Sequence, residues 1–243
     1  ERAQEAPSLV LRENHSKDPE KDLLDGQSAE TVNDEQTALD KFQNARLSNL
    51  EVGRLYERYL GYLYEQKGWK VTYRGIVSGY EDLGRDLICT NKEATKFRIV
   101  QAKCWSKHKE IREQHIYQIH SSSLHYKFSL RKSLRESGLS RANIKEKMRT
   151  VNKGTVAVLC STTSLSEGAK EVADFLGVEY EHCELKKDYP MIKLNISKAD
   201  GEKLYHLPYD PQYDSVIVGN VEGEEYVKTI REAVSKGFRR AKR

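Results

Sequence analysis

Two short runs constrain this chain more than anything else in its 243 residues: Gly84-Arg85-Asp86-Leu87-Ile88 and Arg98-Ile99-Val100-Gln101-Ala102-Lys103-Cys104-Trp105. Each reads as an apolar strand with polar groups at set positions, and a turn-like stretch, 91–95, separates them. Successive side chains of a strand point to opposite faces, so Gln101 and Lys103 share one face and Ala102 takes the other. If the two strands pair, the carboxylate of Asp86, the amide oxygen of Gln101 and the ammonium of Lys103 converge. That set suits a hard cation, a phosphate and an attacking water.

The chemistry follows from the donor types. Mg2+ prefers oxygen ligands and keeps several waters, so Asp86, Gln101 and the backbone carbonyl of Ala102, completed by a phosphate, form a workable set of metal ligands, with Mn2+ as a substitute. Such an ion stabilises charge on a phosphoryl oxygen and acidifies a bound water. Lys103 is placed to orient that water or to neutralise the transition state. A second acid would strengthen the site. Glu57 on a preceding helix is the first choice, with Asp82 and Glu81 as others, and Gln118 on a following helix could bond a water or a phosphate.

The rest of the pattern alternates helix and strand. Ser48 with Glu51 reads as a capping box opening a helix from about 49 to 66, closed by Gly68. Strands are expected over 69–73, 83–90 and 96–105, with a loop over 75–84. A helix is expected over 111–126, then a fully apolar strand over 155–160, a helix over 165–176 and a strand over 178–183. That order gives an α/β sandwich around a mixed sheet. Residues 121–153 interrupt it with nine bases against two acids, and read as an inserted helical hairpin turning at Gly138. The bases Lys127, Arg131, Lys132, Arg135, Arg141, Lys145, Lys147 and Arg149, with Lys153, would make it a phosphate-tracking arm. Beyond Tyr189, strands over 191–197, 203–207 and 215–218 and a helix over 225–236 form a small unit ending in a basic tail.

Charge is unevenly placed. Residues 1–40 carry 11 acids and 4 bases, so a net charge of +4 overall leaves +11 on the remaining 203 residues. An acidic leader on a basic body favours a polyanionic partner for the body and, together with the site, a nucleic acid. The four cysteines show no zinc-knuckle spacing and read as buried free thiols of a reducing cytoplasm. No apolar run approaches the ~20 residues of a membrane helix. The chain starts at Glu1 without Met, which leaves room for an upstream segment or membrane anchor. His115, His120 and His125 recur off the helical period and do not read as one metal site, and His206 reads as a packing residue.

Asp86 followed by Gln101-x-Lys103 resembles the PD-(D/E)xK nuclease motif in its glutamine variant, typical of Mrr-like restriction endonucleases. The surroundings agree: Glu57 on a helix, Gly68-Trp69 before a strand, the Gly84-Arg85-Asp86 turn, Val100-Gln101-Ala102-Lys103-Cys104-Trp105, then Ser161-Thr162-Thr163 before a helix with Ala169 and Ala173. The likeness spans about residues 48 to 186. Two features depart from it: Glu81-Asp82-Leu83 stands where the family has Asp-Gly-Gly-like residues, and the insertion after the Gln118 helix is long. The resemblance implies a restriction-endonuclease-like mixed central sheet flanked by helices and a Mg2+-dependent DNA endonuclease with Asp86, Gln101, Lys103, Glu57 and Gln118 at its site. Double-strand cleavage would favour a homodimer. The tail, with Ile192-Lys193-x-Asn195, Tyr205-His206-Leu207-Pro208 and Gly237-Phe238-Arg239, resembles a small module called the sunset domain. The expected organisation is a leader over 1–47, a nuclease domain over 48–188 and an α+β module over 189–243. The alternatives are a nuclease fold that grips nucleic acid without cutting it, and a nuclease directed at RNA or junctions.

Overall fold

The computed structural model describes residues 28–74 and 84–241. Most of the acidic leader and the Glu81 and Asp82 candidates lie outside the described residues.

Helix α1 (Ala29–Asn44) is followed by α2 (Asn49–Gln66), whose start is the expected capping box: the Ser48 backbone N–H and hydroxyl both donate to Glu51 Oε2 at 2.7 Å. Gly68, at φ +79°, turns the chain into β1 (Lys70–Tyr73). Strands β2 (Leu87–Thr90) and β3 (Phe97–Lys103) form the hairpin, in the register Leu87 to Val100 and Ile88 to Ile99. Helices α3 (Glu113–Glu136) and α4 (Arg141–Gly154) lead to β4 (Thr155–Ser161), α5 (Glu167–Leu176) and β5 (Val178–His182). The five strands lie in sequence order; β1, β2 and β3 are antiparallel neighbours, while β4 and β5 continue parallel to β3. This is the mixed central sheet flanked by helices that was expected.

Alternation along the strands divides the core. Leu87, Cys89, Val100, Val158 and Cys160 face α2 with Leu55, Tyr56, Tyr59 and Tyr64. Ile88, Ile99, Ala157 and Leu159 face the other way, onto Ile116 and Ile119 of α3 and Ala169 and Ala173 of α5. Gly61 lets α2 sit close on β1, because a Cβ there would lie 2.1 Å from the Tyr73 hydroxyl.

The basic insertion differs from expectation. It does not begin at residue 121; α3 runs unbroken through that point, since no helix breaker intervenes and Tyr126, Leu130 and Leu134 pack onto a small core of Phe97, Ile144, Met148 and Val151. The turn at Gly138, at φ +75°, is as expected.

The last part of the chain forms a second sheet from β6 (Ile192–Ile196), β7 (Lys203–His206), β8 (Tyr226–Val227) and β9 (Arg239–Arg240), with the short helix α6 (Ile230–Ser235). The strand expected over 215–218 is not formed. A 3-10 turn over Tyr213–Ser215 replaces its start, and the carbonyls of Tyr213 and Val216 turn inward to accept hydrogen bonds from Lys193 Nζ at 2.9 and 2.8 Å. The helix expected from 225 starts only after Thr229, whose hydroxyl caps it, because Tyr226–Val227 is taken up as β8. The basic tail also contributes a strand, β9, beside β7. Helix α1 packs on this second unit: Tyr205 bonds Glu35, Arg240 pairs with Glu35 at 3.3 Å, and the Ile230 N–H donates to Gln36 at 2.9 Å. Among the described residues no helix is long and apolar enough to cross a membrane.

Candidate active site

The hairpin brings the predicted groups together. Strand β2 pairs with β3 from Leu87, opposite Val100, and Asp86 immediately precedes it. The Asp86 N–H donates to the Val100 carbonyl at 2.9 Å, and its own carbonyl accepts from Arg74 N–H at 2.8 Å. By strand parity Gln101 and Lys103 share the α3 face with Ile99. Asp86 is 8% exposed and Gln101 1%, while Lys103 is half-buried. Asp86 Oδ2 accepts the Ala102 N–H at 2.6 Å. N–H and C=O of one strand residue point the same way, so the Ala102 carbonyl is aimed at the same edge as the carboxylate.

Gln118 reaches this corner from the second turn of α3. Gly84 marks where the amides meet: a Cβ there would lie 2.9 Å from Gln118 Nε2 and 3.1 Å from Gln101 Nε2, and its φ is +73°. The nitrogen side of Gln101 is thus packed toward Gly84, while Oε1 is buried with no hydrogen-bond partner among the described residues. A divalent cation fits this corner: a carboxylate, a buried amide oxygen lacking a donor and a backbone carbonyl are all hard oxygens. The described residues hold no group of three or more His, Cys, Asp or Glu side chains that could bind a metal. An ion held by these groups would have Asp86 as its charged ligand and neutral oxygens besides.

Glu57 stands on α2. The start of that helix and the end of β3 enclose a cleft of about 440 Å³, lined among others by Val52, Gly53, Ala102, Lys103 and Trp105. Glu57 lies one turn beyond Gly53 on the same helix face, half-buried and engaged in an interaction of its own.

One neighbour reads in the sequence only as part of a histidine trio that does not make a metal site. The His115 ring stands edge-on to Trp105 at 4.9 Å, and its Nδ1 is buried with no partner among the described residues. Partial burial, aided by the Lys103 charge, holds it below the usual histidine range. Its signal was present: it lies three residues before Gln118, on one helix face. Thr162 fastens the end of β3. Its N–H donates to the Lys103 carbonyl at 3.1 Å, and its hydroxyl both accepts from Trp105 N–H at 2.9 Å and donates to the Trp105 carbonyl at 2.8 Å.

The basic residues are elsewhere. Arg131, Arg135, Arg141, Lys145, Arg149 and Lys153 line a groove of about 1020 Å³ between α3 and α4, whereas Lys127, Lys132 and Lys147 do not line it.

An α/β body with an acid, an amide and an amine at one end of a mixed sheet is the setting in which the family comparison falls. Residues 51–134 match the family model Mrr_cat, described as a restriction endonuclease. Among solved structures, the MspJI restriction endonuclease in complex with a 27-mer oligonucleotide is similar at 15% identity and a TM-score of 0.33. The match covers 72% of this chain and 32% of that one, so this chain spans about a third of the MspJI chain. No curated protein matches the chain.

Proposed function

We propose that the chain is a Mg2+-dependent DNA endonuclease of the Mrr-like restriction type, hydrolysing phosphodiester bonds at the Asp86–Gln101–Lys103 corner. The observation that carries this reading is the buried Gln101 Oε1, left without a donor beside Asp86 inside the segment that matches the family. Asp86, Gln101 and the Ala102 carbonyl would hold the ion, with Mn2+ able to replace Mg2+. When bound, the metal supplies charge neutralisation at the phosphate and acidifies a water. Lys103 presents its ammonium to the attacked phosphate, on a strand end held by Thr162. Gln118 bonds a phosphate oxygen or water, and Glu57 approaches from the α2 side as the further acid. The hairpin cations, from Lys127 to Arg149, are the DNA-binding surface. Residues 48–188 make up the nuclease unit, and residues 189–243, resembling the sunset domain, brace it.

The test is nicking of supercoiled plasmid in Mg2+. Asp86→Ala and Lys103→Ala each lower the rate by about 100-fold or more, the scale of losing one preorganised charge contact. Unchanged cleavage in either variant contradicts the reading. The scarcity of carboxylates favours one other reading, a fold that binds DNA without cutting it. A mobility shift without nicks in Mg2+ or Mn2+ would establish that reading. Duplex, single-strand, RNA and branched substrates run side by side separate the substrate classes.

A further inference from the structure

The β3 strand has a direction, and the basic groove and the cleavage corner lie at its two ends. Gln101 and Lys103 are at the C-terminal end of β3. Helix α3 begins at that end, with Ile111 bridged to Leu165 just before it, and runs back along the sheet. By Tyr126 it has reached the start of β3, where the Tyr126 and Phe97 rings are 6.3 Å apart. Helix α4 closes on the same end: a Cβ at Gly154 would lie 1.9 Å from the Thr95 carbonyl. Ile144 and Met148 of the groove belong to the small core around Phe97. Six residue steps separate Phe97 from Lys103, roughly 20 Å at strand rise.

The groove is built for a row of negative charges. Arg141, Lys145, Arg149 and Lys153 recur every fourth residue along α4, so they form one ridge, roughly 18 Å long at helix rise. Arg131 and Arg135 face them from α3 with the same spacing. All six are exposed, no acid lines the groove, and none of the six makes an ion pair among the described residues. The nearby ion pair, Lys132 with Glu136 at 4.0 Å, involves residues outside the lining. Six uncompensated cations on one concave surface repel each other, and a polyanion relieves that repulsion. A ridge of this length runs beside about five phosphates of one strand, at 3.4 Å of axis each.

We propose that this groove is a second DNA-phosphate site, remote from the cleavage corner, that grips the duplex flank. The proposal rests on the reading of the chain as a DNA nuclease. A duplex engaged at both places must extend about six base pairs past the scissile bond to span the gap.

The experiment has two arms on the full chain. In EDTA, filter binding of a duplex of about 30 base pairs gives the slope of log Kd against log salt. Arg141→Gln/Lys145→Gln/Arg149→Gln lowers that slope by about three, and Arg141→Lys/Arg149→Lys restores it when Lys145 is kept. In Mg2+, trimming one flank from about 16 to about 4 base pairs lowers kcat/KM of the parent by at least 10-fold, the effect of losing a few phosphate contacts. The triple glutamine variant is insensitive to the trimming. An unchanged salt slope, or equal sensitivity to trimming in parent and variant, overturns the groove. A parent that never cleaves refutes the nuclease reading instead, and the salt slope still decides the groove. Circular dichroism melting of the triple variant shows whether it is folded.

Discussion

The Asp86–Gln101–Lys103 corner and the junction between α2 and the C-terminal unit both bury charge, and they host it differently. At the corner, Gln101 keeps a buried amide oxygen without a donor, and Asp86 gives one oxygen to a backbone N–H. At the junction, Lys193 is fully buried yet well hosted. Its Nζ donates to two carbonyls and lies 4.5 and 4.8 Å from the ring centroids of Tyr213 and Tyr73. Beside it, Arg58 forms a two-bond fork with Asp214 at 2.8 and 2.7 Å, and Tyr226 bonds Glu65. Burial pulls the Lys193 ammonium down to about 8 against the opposing pull of Glu65. Lys193, with two carbonyls and two rings around it, ties the C-terminal unit to the body, although Glu65 Oε1 and the Tyr189 hydroxyl nearby also lack a hydrogen-bond partner among the described residues. At the corner the group without a donor is an amide oxygen next to a carboxylate, which a cation could complete.

The contrast breaks if the two regions respond alike to substitution. Asp86→Asn should lose at least about 100-fold in cleavage rate with little change in melting temperature, because the shape is kept and only the ligand charge goes. Lys193→Met should do the reverse. Stability falls by about 3–5 kcal/mol in urea titration, since the buried partners are left uncompensated, while metal binding at the corner persists in the folded fraction. If both variants lose stability equally, or both lose cleavage equally, the division of labour is wrong.

Gly84→Ala sharpens the comparison on a smaller scale. The left-handed φ of +73° and the amides of Gln118 and Gln101 both resist a Cβ. The stability cost should be about 1–2 kcal/mol, but cleavage should fall further than stability explains, because the two amides are displaced. An effect on stability alone would place Gly84 outside the site.

A pH-dependent effect belongs mainly to the junction. Burial raises the phenols of Tyr73, Tyr213 and Tyr226 there, and the thiols of Cys89 and Cys160 in the neighbouring core, well above their ordinary values of 10.0 and 9.0. Above about pH 9 the unfolded chain gives up protons that the folded chain keeps, so stability falls as pH rises. Each group contributes up to about 1.4 kcal/mol per pH unit once its unfolded form is ionised. Lys193 alone works the other way between about 8 and 10.5, where the unfolded chain holds the extra proton. Urea midpoints across this range check the sign, and a midpoint that rises above pH 9 contradicts it.

Much of the corner was legible in the sequence because a hairpin converts period-2 spacing into geometry. Gln101 and Lys103 follow from strand parity, Asp86 from its position just before the strand that pairs with theirs, and the Ser48–Glu51 box from local bonding. The location of the basic arm was not legible, since charge counts say nothing about which way α3 runs along the sheet. The junction was not legible either. Lys193 sits in an ordinary strand pattern, and only the folding of 213–216 around it turns the 215–218 stretch from strand into turn. His115 was obscured by its spacing from His120 and His125, although its distance from Gln118 marked the shared face.

The most direct test of the metal-dependent corner is a crystal soaked in Mn2+. An anomalous peak is expected about 2–2.3 Å from an Asp86 carboxylate oxygen, Gln101 Oε1 and the Ala102 carbonyl, at the distances of hard-oxygen ligands. A peak elsewhere in a protein that cleaves DNA in Mn2+, with this corner empty, would contradict it.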